Sequence, residues 1–256
     1  MLWEPGQYAR FAGPRLRPGL DLLARVPLEG EARHVVDLGC GTGALLPALR
    51  ARFPEAGLTG VDNSPEMLAR ARGVDPDATL VEADAAGWSP EGPVDLIFSN
   101  AVLHWLPDHA ALLPRLLRSC RVLAVQMPAN FEAPSHRLVG EIAARPRWAS
   151  RLGGIRPGEH VLPLAEYRRL LAPLAAEVDL WETVYWHVLE AADPVLEWVR
   201  GTTLLPVLAA LGGAASNEAR AFTAEYAEAL RSAYPPEPDG RTLFPFRRLF
   251  LVATGA

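Results

Sequence analysis

The sequence predicts an α/β fold built on a mostly parallel sheet. Three observations lead there. Short apolar runs alternate with helical patterns from Val35 to Met127, the first run ends in a glycine-spaced turn, and the strand pattern resumes only late in the chain, after a mostly helical stretch. The first five strands are expected at 35–38, 58–61, 79–82, 94–99 and 122–127. Helices are expected between them at 43–52, 65–72 and 109–118, the second with Ser64 as N-cap and Pro65 in its first turn. Beyond Pro128 the pattern changes to helices at 135–145, 164–172, 194–211 and 217–232, with further strands at 177–189 and 247–254. YPPEPDGR (234–241) reads as a loop. The division this suggests is an N-terminal helical arm (1–30), a sheet core (31–128), a helical cap with one core strand (129–246, strand about 177–189) and a final core strand (247–256). Such an insertion is expected over the edge of the sheet where ligands bind.

Composition narrows the function classes. The chain has 256 residues, half of them apolar, and a formal charge of −5. A chain without a basic face is not expected to bind nucleic acid or an anionic membrane. All 25 basic residues are Arg, whose planar fork can clamp a carboxylate. Cys40 and Cys120 are the only cysteines, which points to a reducing compartment and a cytoplasmic location. The N-terminus MLWEPGQYARF has no leader pattern, and no apolar run approaches the ~18 residues of a membrane span. No His/Cys/Asp cluster has metal-ligand spacing and no Ser-His-Asp arrangement stands out, so a metal-free reaction is expected.

The motif that carries chemistry is Val35-Val36-Asp37-Leu38-Gly39-Cys40-Gly41-Thr42-Gly43, a strand ending in an acid and a glycine turn. A nicotinamide fingerprint would read G-x-G-x-x-G, with a pyrophosphate on the following helix. The tighter G-x-G-x-G spacing and Asp37 suit a ligand with no phosphate and a cationic amino-acid end. S-adenosylmethionine (SAM) has both properties. Asp62 ends the second strand where a carboxylate can accept from both ribose hydroxyls, with Asn63 beside it. Asp84 follows the third strand, beside Ala85, and can accept from the adenine amino group. Three acids closing three successive strands make one site. Asn100, ending the fourth, is a candidate for the methionine portion, and Trp105 for packing on the cofactor.

DLGCGTG, GVDNSPEML, EADA and DLIFSNAVLHW, in that order, resemble the class I SAM-dependent methyltransferases. The resemblance narrows in YARF (8–11), RLRP (15–18), SNAVLHWLPDH (99–109), LAVQMP (123–128), WETVYWHVL (181–189) and DGRTLFPFRRLFLVA (239–253), which together are similar to trans-aconitate methyltransferases. It implies a Rossmann-like seven-stranded sheet with a reversed last strand, a helical cap, SAM as donor, S-adenosylhomocysteine as product and a small-molecule carboxylate as acceptor. Three departures stand out. Leu205 replaces an Arg usual in the cap, His104 replaces a Gln, and Arg118–Val122 lacks a Pro-Gly-Gly turn, so a tighter connection is expected there.

Methyl transfer from a sulfonium is an in-line displacement, governed by alignment and exclusion of water. A carboxylate acceptor is already ionised and needs no base. A hydroxylated or amine acceptor would need one, and His104 is then the catalytic candidate. Tyr8, Arg15, His187 and Arg241 are candidate acceptor anchors, and Trp181, Tyr185, Trp186 and Trp198 a candidate aromatic lining. The competing readings are a SAM-binding protein without turnover and a nicotinamide-dependent oxidoreductase. A monomer is the expected state.

Overall fold

In the computed structural model, residues 12–28, 32–154 and 160–256 are described, with backbone alone at Ala12, Pro14 and Arg15. The expected anchor Tyr8 lies outside the described residues, as does the side chain of Arg15. The chain divides into two compact units.

The larger unit spans 15–128, 160–183 and 248–256. Its elements begin with α1 (Ala12–Ala24), most of which lies in this unit. Then follow β1 (His34–Leu38), α2 (Leu46–Arg52), β2 (Gly57–Asp62), α3 (Pro65–Val74), β3 (Thr79–Glu82) and β4 (Val94–Asn100). A 3-10 turn (Leu103–Trp105), α4 (His109–Arg118) and β5 (Cys120–Pro128) complete the run. The seven-stranded sheet has the order β3-β2-β1-β4-β5-β7-β6, where β6 is Ala175–Leu189 and β7 is Thr242–Gly255. Strands β1 to β5 pair in parallel, and β7 runs antiparallel to β5. The order reverses between β1 and β4, the switch point at which open α/β sheets bind ligands.

The strands are apolar on both faces because helices cover both: Val35, Val36, Ile97, Phe98, Leu123 and Val125 are fully buried. Helix α3 starts where expected, with the Ser64 hydroxyl accepting from the Met67 N–H. Helix α2 begins at Leu46, three residues later than expected, because the third glycine belongs to the preceding turn (φ +75°). The connection from α4 to β5 is a single residue, Ser119, as the missing Pro-Gly-Gly turn implied.

Among the described residues the smaller unit spans 12–14, 129–154 and 184–247. It contains α5 (Pro134–Ala143), α6 (Pro146–Leu152), α8 (Pro194–Arg200), α9 (Leu205–Ala210) and α10 (Asn217–Ala233). Its interior is aromatic: Trp148, Trp198, Phe222, Tyr226 and Phe244 are buried together. Beside them runs a closed polar network. Asn130 Nδ2 donates to Ser135 Oγ (3.3 Å), which bonds His136 Nδ1 (3.1 Å), and His136 Nε2 bonds Thr203 Oγ1 (3.0 Å). Burial pushes His136 down to about 4, so it is neutral near pH 7.

Two further differences from the sequence expectation have long-range causes. The helix expected at 194–211 is broken at Gly201–Leu204, where Thr203 turns inward to reach His136 and Leu205 opens α9. The stretch 160–176, expected in the helical part of the cap, groups with the sheet, as does the start of the expected core strand. The reason is Tyr167 of α7 (Leu164–Leu171), whose hydroxyl meets Nδ1 of the buried His109 on α4 at 2.7 Å.

Candidate SAM site

At the carboxyl end of β1 the chain enters a turn that only glycine tolerates. Gly39, Gly41 and Gly43 have φ of +79°, +55° and +75°. The amides of Gly39 and Cys40 both donate to the Val61 carbonyl (2.7 and 3.0 Å), which fixes the turn to the end of β2. A Cβ on Gly39 would lie 2.3 Å from Val102 Cγ2, whereas one on Gly41 would meet no protein atom within 4 Å. The turn is closed on the protein side and open at Gly41.

Asp62 shapes this turn as well as facing it. Its Oδ2 accepts from the Gly41 N–H and its Oδ1 from the Ser64 N–H, both at 2.9 Å. Each carboxylate oxygen can take a second donor, so capacity remains for ribose hydroxyls. Asp37 is buried, 3% exposed. Burial, with the Asp62 charge in second place, pushes its carboxyl up to about 7. An acid held this far up becomes fully ionised once a cation arrives, which is what an ammonium-bearing ligand supplies. Burial and the same two acids push the Cys40 thiol well up, so it stays protonated and packs as an apolar group.

Asp84 is exposed in the turn after β3, its Oδ1 accepting from Ala86 N at 2.9 Å. Ala83 N donates to the Asp62 carbonyl (3.0 Å), so the two acid-bearing turns are tied together. Ala85 is buried and Asn63 exposed. Arg115 of α4 braces this turn by donating to the carbonyls of Ala86 (2.7 Å) and Trp88. Sequence reading passed over Arg115 because it looks like one more solvated helix Arg. Asn100 ends β4, with its Oδ1 buried and without a hydrogen-bond partner among the described residues.

The 3-10 turn carries the remaining candidates. The His104 ring is buried, 4.5 Å from the centroid of Trp105, which is 42% exposed. The turn is held from behind by His109, whose Nε2 donates to the Leu103 carbonyl at 2.8 Å while Nδ1 accepts from Tyr167. Sequence reading gave His109 no role either, since its partner lies far along the chain.

Two of the expected acceptor anchors belong to the smaller unit. His187 is in the smaller unit, stacked on Trp198 at 4.4 Å within the aromatic core. Arg241 sits on an exposed turn, paired with Asp239 at 2.5 Å. The four aromatics separate likewise. Trp181 stacks on Phe250 (4.7 Å), Tyr185 and Trp198 are buried, and Trp186 lines a cavity of about 660 Å³ in the smaller unit with Asn130, Pro245 and Arg247. Among the described residues no group of His, Cys, Asp or Glu could hold a metal, and no helix is long and apolar enough to cross a membrane.

The site therefore fits SAM. A buried acid suits a cationic amino-acid end, a second acid keeps lone pairs that suit a ribose, and a glycine turn offers space where a side chain would stand. Comparison with known proteins agrees. Residues 35–122 match the family model described as a methyltransferase domain. Trans-aconitate 2-methyltransferases of Azoarcus sp. (strain BH72) and Methylobacterium nodulans are each 50% identical to this chain. The first match covers 98% of both chains, the second 98% of this chain and 97% of its relative. Among solved structures, the YcgJ protein of Bacillus subtilis shares the fold at a TM-score of 0.55 with 15% identity, covering 93% of this chain and 97% of that one. Phosphoethanolamine N-methyltransferase 2 of Haemonchus contortus, in complex with S-adenosyl-L-methionine, does so at 0.53 and 16%, over 94% of this chain; the chain spans about half the length of that protein (53%). The chain is thus a SAM-dependent enzyme, and it belongs to the trans-aconitate methyltransferase family of class I methyltransferases.

Proposed function

We propose that this enzyme transfers the methyl group of SAM to a carboxylate oxygen of trans-aconitate or a closely related polycarboxylate. The observation that carries the reading is the 50% identity to proteins named trans-aconitate 2-methyltransferase over nearly the whole of both chains, the smaller unit included. The chemistry needed is modest. When bound, SAM supplies an electrophilic methyl on a sulfonium, and a carboxylate is ionised at neutral pH with a lone pair ready. What the chain's own residues do is bind and orient: Asp37 and Asn100 hold the amino-acid end, Asp62 the ribose, and Asp84 the adenine, while the 103–105 turn sets Trp105 beside the cofactor. Positioning of this kind can account for most of the rate enhancement.

On this reading His104 is a packed positioning group and not a base. His104→Gln keeps a hydrogen-bonding side chain, and its maximal rate on trans-aconitate should stay within about tenfold of the parent, equivalent to ~1.4 kcal/mol of barrier. The pH–rate profile should keep its shape. A fall of about 10²–10⁴-fold with SAM affinity intact would mean that a proton must be removed, and that the acceptor is a hydroxyl or an amine.

A further inference from the structure

Gln126 lies near the carboxyl end of β5, and every other residue from Val122 to Met127 is apolar and buried. Its own side chain is fully buried, and neither Nε2 nor Oε1 has a hydrogen-bond partner among the described residues. A buried amide left unmade on both atoms costs more than a made bond contributes, so a residue serving only the core would be apolar here.

Its neighbours explain it. Gln126 is in register with Asn100 at the end of β4, whose Oδ1 is also without a partner among the described residues. In-register residues of paired strands project from one face of the sheet. That face is the one under α1, since Asn100 Cγ lies 3.3 Å from where a Cβ on Gly19 would stand. On the other side Gln126 is in register with Phe250, whose ring is covered by Trp181. Two amides with open hydrogen-bonding capacity thus stand side by side, at the ends of β4 and β5, next to the SAM turn.

We propose that Gln126 Nε2 donates a hydrogen bond to a carboxylate oxygen of the methyl acceptor, which makes Gln126 a specificity-determining residue; this rests on the carboxylate reading above. The two side chains divide the work by chemistry. The Asn100 oxygen can only accept, which suits the ammonium of SAM, and the Gln126 amide nitrogen can only donate, which suits an anion. A neutral donor also fits the reaction. It orients the carboxylate without the full charge of a buried guanidinium, which would hold the lone pair that must attack.

The test is Gln126→Met, which keeps the length of the side chain and removes both polar atoms, measured beside the parent enzyme. Turnover of trans-aconitate by the parent reads the acceptor class; inactivity on every carboxylate offered would overturn that reading and this inference with it. With an active parent, the variant should lose at least tenfold in kcat/KM for the acceptor. It should bind S-adenosylhomocysteine within twofold of the parent and melt no lower when unliganded, an outcome that damage to the core would not give. A smaller loss, or a loss of S-adenosylhomocysteine affinity equal to it, overturns the role of Gln126 and leaves the carboxylate reading standing. If Gln126→Met does not fold, Gln126→Asn decides the matter: it keeps an amide but draws the donor back by one methylene, which should lower kcat/KM at least tenfold while S-adenosylhomocysteine still binds, and an unchanged kcat/KM would overturn the role of Gln126.

Discussion

Gly39→Ala should weaken SAM binding by about 100-fold or more while leaving a folded protein. The backbone at Gly39 sits at φ +79°, where an L-residue costs ~1–2 kcal/mol. The new Cβ would also fall 2.3 Å from Val102 Cγ2, a contact that cannot exist without movement. Val102 is the residue before the turn carrying His104 and Trp105, so the displacement reaches the candidate methyl-transfer residues as well as the cofactor turn. A hundredfold loss corresponds to ~2.8 kcal/mol. Gly73→Ala is the control, because it lies in α3 with no atom within 4 Å of an added Cβ, and it should leave affinity unchanged. Titration calorimetry on both variants, with circular dichroism to establish folding, checks the expectation. A Gly39→Ala dissociation constant within threefold of the parent would mean that the turn does not hold the cofactor.

SAM affinity should also depend on pH through Asp37. Its carboxyl is pushed from an ordinary 3.8 up to about 7, first by burial and then by Asp62. The bound ligand's ammonium favours the ionised form, so binding below pH 7 must expel a proton. Affinity should therefore fall roughly fifteenfold between pH 7 and pH 5.5. The sign for folding is the opposite. The folded, unliganded chain holds the Asp37 proton from about pH 4 to about pH 7, where the unfolded chain has lost it, so this site stabilises the fold at the acid end of that window and less as pH rises through it. Calorimetry in buffers of different ionisation enthalpy should detect close to one proton released at pH 5.5. Asp62→Asn removes the like charge and should move the affinity curve to lower pH. An affinity flat from pH 5.5 to 7 would remove Asp37 from contact with the cationic end.

The sheet and the cofactor turn were legible because their signals are local. Apolar runs of strand length, Ser64 with Pro65, and three glycines at positive φ are each written within a few residues. The start of β7 was not legible: Thr242–Phe246 alternates inward and outward, but Pro245 in its middle reads as a loop. The break at Gly201 was hidden inside an otherwise continuous apolar helix pattern, and its cause, Thr203 bonding His136, is a contact between distant residues. His187 is legible as a candidate anion donor, but its stack on Trp198 is not, because positions 185, 187 and 189 are buried along β6 through contacts with residues distant in sequence. Gln126 was missed for the reverse reason. In LAVQMP it reads as one polar residue near a strand end, and only its burial without a partner marks it.

The central claim, methyl transfer from SAM to a carboxylate oxygen, is tested most directly by identifying the product. Incubation with methyl-labelled SAM and trans-aconitate, beside a panel of tricarboxylates, phenols and amines, should yield a base-labile methyl ester of the polycarboxylate carrying the label, with one S-adenosylhomocysteine formed per ester. Label appearing instead on a phenol or an amine, with trans-aconitate unmodified, would contradict the account.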